Sequence, residues 1–169
     1  NTLRYVRQLT AGRPIHAVLG GMHLLNFNQL ALGLLPAFRQ HLREAPDPWN
    51  VAVRLAAAGN VMDLGVKSGL DEGEIRIALE HCLTEPFEGS TAEFAEAVAA
   101  AERILYLTDN AGEIVFDRLL IEQMPREKVT VAVRGSPVIN DATRLDAETA
   151  GLTELVPVID NGSDAPGTI

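Results

Sequence analysis

The chain's 169 residues, 47% hydrophobic and 22% charged, suffice for one globular domain and argue against disorder. A formal net charge of −9 withholds the basic face with which nucleic-acid binders displace counterions. The longest apolar runs, such as residues 30–38, are too short to span a bilayer, and no basic region leads into an apolar core at the start, so a cytoplasmic protein without membrane contact is expected.

Residues 2–9 have helical spacing, which Gly12-Arg-Pro14 interrupts. Residues 15–19 read as a small strand running into a tight turn at Gly20-Gly21, with His23 just beyond it. From Phe27 the character changes. Leu30, Leu32, Leu34, Leu35, Phe38 and Leu42 mark the apolar face of a helix that Pro36 should kink or restart. Asp47 and Pro48 cap and open the next helix, residues 49–64, whose alanine and valine content predicts burial. Asn60 and Asp63 lie three apart on one face of it. They serve either a structural network or cap, or a site built by later loops, because an unpaired buried polar group costs ~1–3 kcal/mol. Asp71 with Glu74 signals a helix over 74–83, and Ser90-Thr91 with Glu93 signals one over 94–102. Cys82 is the only cysteine, which excludes a disulfide framework or thiolate cluster and leaves a packed thiol.

The last third alternates strands at 103–108, 128–134 and 155–159 with helices at 114–124 and 142–149. This βαβαβ order predicts an α/β fold: a Rossmann-like, mostly parallel sheet in a three-layer arrangement, preceded by a helical region over 27–102. Each strand runs into a polar loop: Asp109-Asn-Ala-Gly-Glu113, Gly135-Ser-Pro-Val-Ile-Asn-Asp-Ala-Thr143 and Asp160-Asn-Gly-Ser-Asp-Ala-Pro-Gly-Thr168. In an open α/β sheet these carboxyl ends of strands are where ligands bind.

Asp109, Asn110 and Asp141 offer a magnesium- or manganese-type ion two carboxylates and one neutral oxygen, leaving positions for water or a phosphoryl group. Gly112, Gly135 and Gly162 let backbone amides approach phosphate oxygens. Asn60, Asp63 and Glu113 are candidates to orient ligands, position water or meet substrate. Arg134, Asn140, Gly162 and Ser163 are candidates to line the phosphate. Neither a dinucleotide fingerprint nor a P-loop is present.

Two resemblances stand beside this reading. Asn1-Thr-Leu-Arg-Tyr5 and His16-Ala-Val-Leu-Gly-Gly-Met-His-Leu24 resemble the C-terminal part of a metallo-β-lactamase-fold hydrolase, in which a Gly-Gly-Phe-His-Leu segment supplies a ligand histidine; Met22 stands where Phe is usual. That family's His-x-His-x-Asp-His cluster is missing, and a zinc site takes three or four protein ligands, so residues 1–26 are expected to be a remnant or fusion junction.

Asp109-Asn-Ala-Gly-Glu-Ile-Val-Phe-Asp117, Val133-Arg-Gly-Ser-Pro-Val-Ile-Asn-Asp-Ala-Thr143, the third loop and Ala58-Gly-Asn-Val-Met-Asp-Leu-Gly65 resemble the damage-control phosphatase family, its stand-alone prokaryotic branch above all, from about residue 27 to 169. The resemblance implies hydrolysis of small phosphomonoesters, damaged or surplus metabolites such as sugar phosphates. It also implies a divalent cation (Mn, Mg, Co or Ni) on Asp109, Asn110 and Asp141. The branch's Cys-x-x-Cys region and its later lysine-bearing segment are not in this sequence. The fold is therefore expected to be incomplete at both ends. A module that binds metal or a phospho-ligand without turnover is the alternative.

Overall fold

The computed structural model describes residues 15–60 and 71–163. A long helix α1 (Ile15–Glu44) opens it, followed by α2 (Pro48–Ala58), α3 (Glu72–Cys82) and α4 (Thr91–Ala100). Strand β1 (Ile104–Leu107), helix α5 (Glu113–Ile121), strand β2 (Val129–Val133), helix α6 (Arg144–Thr149) and strand β3 (Val158–Asp160) complete the α/β part.

The strand expected at 15–19 is instead the first turns of α1, and the Gly20-Gly21 turn lies within that helix. A five-residue apolar run does not distinguish strand from buried helix. The alanine, leucine and methionine around the glycines favour helix, and each glycine lowers helix stability by only ~1 kcal/mol. The helix also continues through Pro36, whose missing N–H leaves the Leu32 carbonyl without its intrahelical donor. α1 thus runs unbroken across residue 26. Ala31, Leu34, Leu35, Phe38 and Leu42 are its buried face, at helical spacing.

The helix starts follow local chemistry. Asp47 accepts from the Asn50 amide at 3.0 Å with Pro48 in the first helical position. Asp71 and Glu74 form a reciprocal capping box, which begins α3 two residues earlier than expected. Ser90 caps α4 through the Glu93 amide. Thr143 and Asp146 repeat the capping box at α6. β3 begins later than expected because 3-10 turn Leu152–Glu154 places Leu152 in the core first.

The three strands are parallel in the order β1-β2-β3, with Ile104 beside Val129 and Val131 beside Val158. Val129, Val131, Val133 and Val158 are buried beneath the helices. α5 lies between the sheet and α1–α2 and is buried along nearly its whole length; Phe38 of α1 meets Phe116 edge-to-face at 5.6 Å. Leu105, Leu107 and Ile159, on the other sheet face, are exposed. Strand order that follows the chain, joined by right-handed crossovers, puts both crossover helices on one side. The same order aligns the carboxyl ends of all three strands along one edge. Among the described residues no helix is long and apolar enough to cross a membrane.

Candidate metal centre

The first two strand-end loops are laced together. After β1, Thr108 still donates its backbone N–H to the Ala132 carbonyl. The loop after β2 then folds back, so that Ala142 N–H donates to the Asp109 carbonyl at 2.7 Å and Ala111 N–H to the Asn140 carbonyl at 2.8 Å. Asn110 and Asp141 face each other in this isolated antiparallel bridge. Residues 31 apart by number thereby become backbone neighbours, and each carries an oxygen donor.

Side chains fix the orientation of these donors. Asn110 is buried; its Nδ2 donates to Asn60 Oδ1 at 3.3 Å and to Glu113 Oε2 at 3.2 Å, while its Oδ1 accepts from Asn140 Nδ2 at 2.7 Å. With two acceptors on its nitrogen, the amide can present only its oxygen to the opposite side, and that oxygen keeps a second lone pair. Arg134 directs Nε and Nη2, both at 2.7 Å, onto Oδ2 of Asp141, leaving Oδ1 without a side-chain partner among the described residues. The Asp109 carboxylate is exposed.

Asn60, Asn110, Glu113 and Asn140 are thus joined by side-chain hydrogen bonds and Arg134 to Asp141, the Asn110–Asp141 bridge linking the two groups, with Asp109 next to Asn110 in the chain. Asp63 lies outside the described residues. Gly59 lets Glu113 pass the end of α2, since a Cβ there would sit 2.5 Å from Glu113 Cγ. The third loop behaves differently. Gly162 N–H donates to Asp160 Oδ1 and Ser163 N–H to Asn161 Oδ1, so both turn into their own loop, and of the other glycine amides expected to approach phosphate Gly112 N–H is taken by Asn28 Oδ1. Asn161 Oδ1 also accepts from Gly135 N–H at 2.9 Å, tying the second loop to the third. Gly135 is needed there: a Cβ would lie 2.9 Å from the Ser163 nitrogen.

A cleft of about 820 Å³ opens along this edge, lined by Asp109, Asp141, Arg134, Ile139 and Asn161 and floored by Leu107 and Ala132. Ile139 holds φ at 49°, a region β-branched residues rarely enter, which costs roughly 1–3 kcal/mol.

Gly112 carries the turn into α5 at φ 84°, and a Cβ there would meet Phe27 Cβ at 3.2 Å and the Phe27 carbonyl oxygen at 3.3 Å. Gly112→Ala should therefore lower stability in urea melts by at least about 1–2 kcal/mol, the left-handed penalty alone.

Sequence reasoning missed three buried polar residues, Asn28, Asp117 and Asp146, and the half-buried Tyr106. Asn28 and Asp146 bond each other at 2.7 Å, and Tyr106 donates its hydroxyl to Asp117 at 2.6 Å. A polar residue inside an apolar helical run was the available signal for Asn28 and Asp117. Burial pushes the Asp117 carboxyl up to about 8, against the Tyr106 hydrogen bond and with help from the charges of Glu113 and Asp109. Tyr106 is raised as well, first by burial and then by Asp117.

The donor set suits a hard cation. No group of three or more His, Cys, Asp and Glu side chains gathers to hold a metal among the described residues, so a site here needs the Asn110 amide as its third donor. Two carboxylates plus an amide oxygen is an all-oxygen set that excludes soft-metal chemistry and fits magnesium- or manganese-type ions.

Fold and loops together define a parallel α/β domain that collects hard oxygen donors at the carboxyl edge of its sheet. The chain belongs to the damage-control phosphatase ARMT1-like domain family, whose model matches residues 26–169. A damage-control phosphatase of Archaeoglobus fulgidus is 36% identical over 146 residues, 84% of this chain and 50% of its own length. Another, from Pyrococcus horikoshii, is 38% identical over 123 residues, 70% of this chain and 42% of its own. The crystal structure of a DUF89 family protein from P. horikoshii matches with a TM-score of 0.74 at 31% identity, covering 95% of this chain and 55% of that one. The chain spans about half the length of the curated relatives it matches.

Proposed function

We propose that Asp109, Asn110 and Asp141 hold a divalent cation and that the cleft beside them hydrolyses phosphomonoesters of small metabolites, sugar phosphates among them. The observation that carries this reading is the Asn110–Asp141 bridge, which brings donors from two successive strand-end loops to the cleft edge. Manganese, magnesium, cobalt and nickel all accept such a set. When bound, the cation would polarise the phosphoryl oxygens and offset the charge that develops on them.

The chain's own residues prepare the place. Arg134 immobilises one oxygen of Asp141, and Asn60 and Glu113 together hold the Asn110 amide so that its oxygen faces away from them. Fixed donors of this kind need no reorganisation during reaction, which is where most electrostatic catalysis originates. The Arg134 guanidinium also lines the cleft and contributes positive charge against a net charge of −9.

The protein should release phosphate from p-nitrophenyl phosphate and from members of a sugar-phosphate panel only when manganese or cobalt is supplied. Equal release after chelation would reject metal-dependent hydrolysis. The inward-turned amides of Gly162 and Ser163 favour one second reading, a module that binds metal or a phospho-ligand without turnover. Saturable sugar-phosphate binding with metal but no phosphate release would select it.

A further inference from the structure

Asn28 sits on α1, far in sequence from the loops, with none of its surface exposed. Its Oδ1 accepts the Gly112 N–H at 2.8 Å, and its Nδ2 donates to Asp146 Oδ1 at 2.7 Å. Asp146, 2% exposed, accepts at its other oxygen from the Thr143 N–H at 2.7 Å and the Thr143 hydroxyl at 2.6 Å. Gly112 lies two residues beyond Asn110, and Thr143 two beyond Asp141. One buried amide and one buried carboxylate therefore join the two donor-bearing loops from behind.

A capping box at α6 explains Asp146 and Thr143 but gives no reason for an asparagine in the core of α1. Burying that amide is unfavourable unless both ends are bonded, and a leucine in its place would leave the buried Gly112 N–H and Asp146 Oδ1 without these partners. We propose that Asn28 and Asp146 are positioning residues: a brace that sets the spacing of Asn110 against Asp141 and so the affinity of the cation site. The inference rests on the metal reading above. Residues that orient metal ligands from behind commonly govern affinity by ~10–100-fold.

The pair allows a reciprocal exchange. Asn28→Asp sets two carboxylates against each other, and Asp146→Asn leaves one amide oxygen to serve both Asn28 and Thr143. The double variant Asn28→Asp/Asp146→Asn restores every donor–acceptor match with the polarity reversed. Two measurements on the full chain decide the matter: manganese affinity by calorimetry, and metal-free amide hydrogen exchange at Gly112 and Thr143. Each single change should weaken manganese ~10–100-fold and speed exchange at both amides, and the double variant should recover to within about threefold of the parent.

Asn28→Ala, which introduces no buried charge, replaces Asn28→Asp if the latter does not fold. It should speed exchange at Thr143, an amide that Asn28 does not touch. Unchanged Thr143 exchange overturns the brace. Faster exchange at both amides with unaltered manganese affinity overturns its role in metal positioning. Should wild type and Asp109→Ala bind manganese equally, the metal reading itself fails and the positioning role falls with it, while the exchange data still decide whether the brace exists.

Discussion

Asp109→Ala should abolish manganese binding over the range in which the wild-type chain saturates, a loss of at least about 100-fold, and metal-dependent phosphate release should vanish with it. The magnitude follows from a comparison. Groups that merely orient a ligand are worth ~10–100-fold in metal affinity, so removing one of only two carboxylates must exceed that. Asp109 is exposed, and its side chain has no hydrogen-bond partner among the described residues, so truncation leaves no buried group unsatisfied. Its backbone carbonyl keeps the bond from Ala142 N–H. Thermal stability without metal should therefore stay within ~0.5 kcal/mol of wild type, as for other surface changes. That combination separates a ligand from a scaffold residue. Unchanged manganese affinity in a calorimetric titration would sink the assignment.

Stability should fall as pH rises from about 4 to about 8, and Asp117→Asn should remove that fall. The unfolded carboxyl titrates at 3.8, whereas burial on α5 pushes the folded one up to about 8, with the charges of Glu113 and Asp109 adding to it. Between those values the folded chain keeps a proton that the unfolded chain releases. Linkage then makes unfolding more favourable with each step up in pH. The contribution is complete below the unfolded value and lost once pH passes the folded one. Several kcal/mol are involved, because each pKa unit corresponds to ~1.4 kcal/mol. An asparagine at 117 keeps an oxygen for the Tyr106 hydroxyl and never ionises. The difference between variant and wild type in urea melts should be small at pH 4 and grow to favour the variant at pH 8. A difference that does not change with pH would show that Asp117 is ionised in the fold.

The loops at the strand ends were legible because their signals are local. Asp109-Asn-Ala-Gly and Asn140-Asp each interrupt a run of strand and helix with the Asp, Asn and Gly residues that favour turns. The helix starts at Asp47, Asp71 and Ser90 were legible for the same reason, since a cap acts on amides two or three residues away. The first turns of α1 were misread where a short apolar run fitted either period. Asn28 was missed because its meaning lies 84 residues away at Gly112 and 118 away at Asp146.

By itself, the sequence determined a βαβαβ core, three polar loops and the chemical type of the donors, all consequences of residue order over a few positions. Parallel pairing in chain order then places those loops on one edge almost of necessity. Only the tertiary structure decided how they are used. It set Asn110 opposite Asp141, turned Arg134 onto Asp141 and folded the Gly162 and Ser163 amides inward. It also seated the Asp117 carboxyl against the Tyr106 hydroxyl, where burial raises its pKa. The physical reason is that hydrogen-bond partnership and burial depend on which surfaces meet when helices pack over the sheet, and no local pattern encodes that meeting.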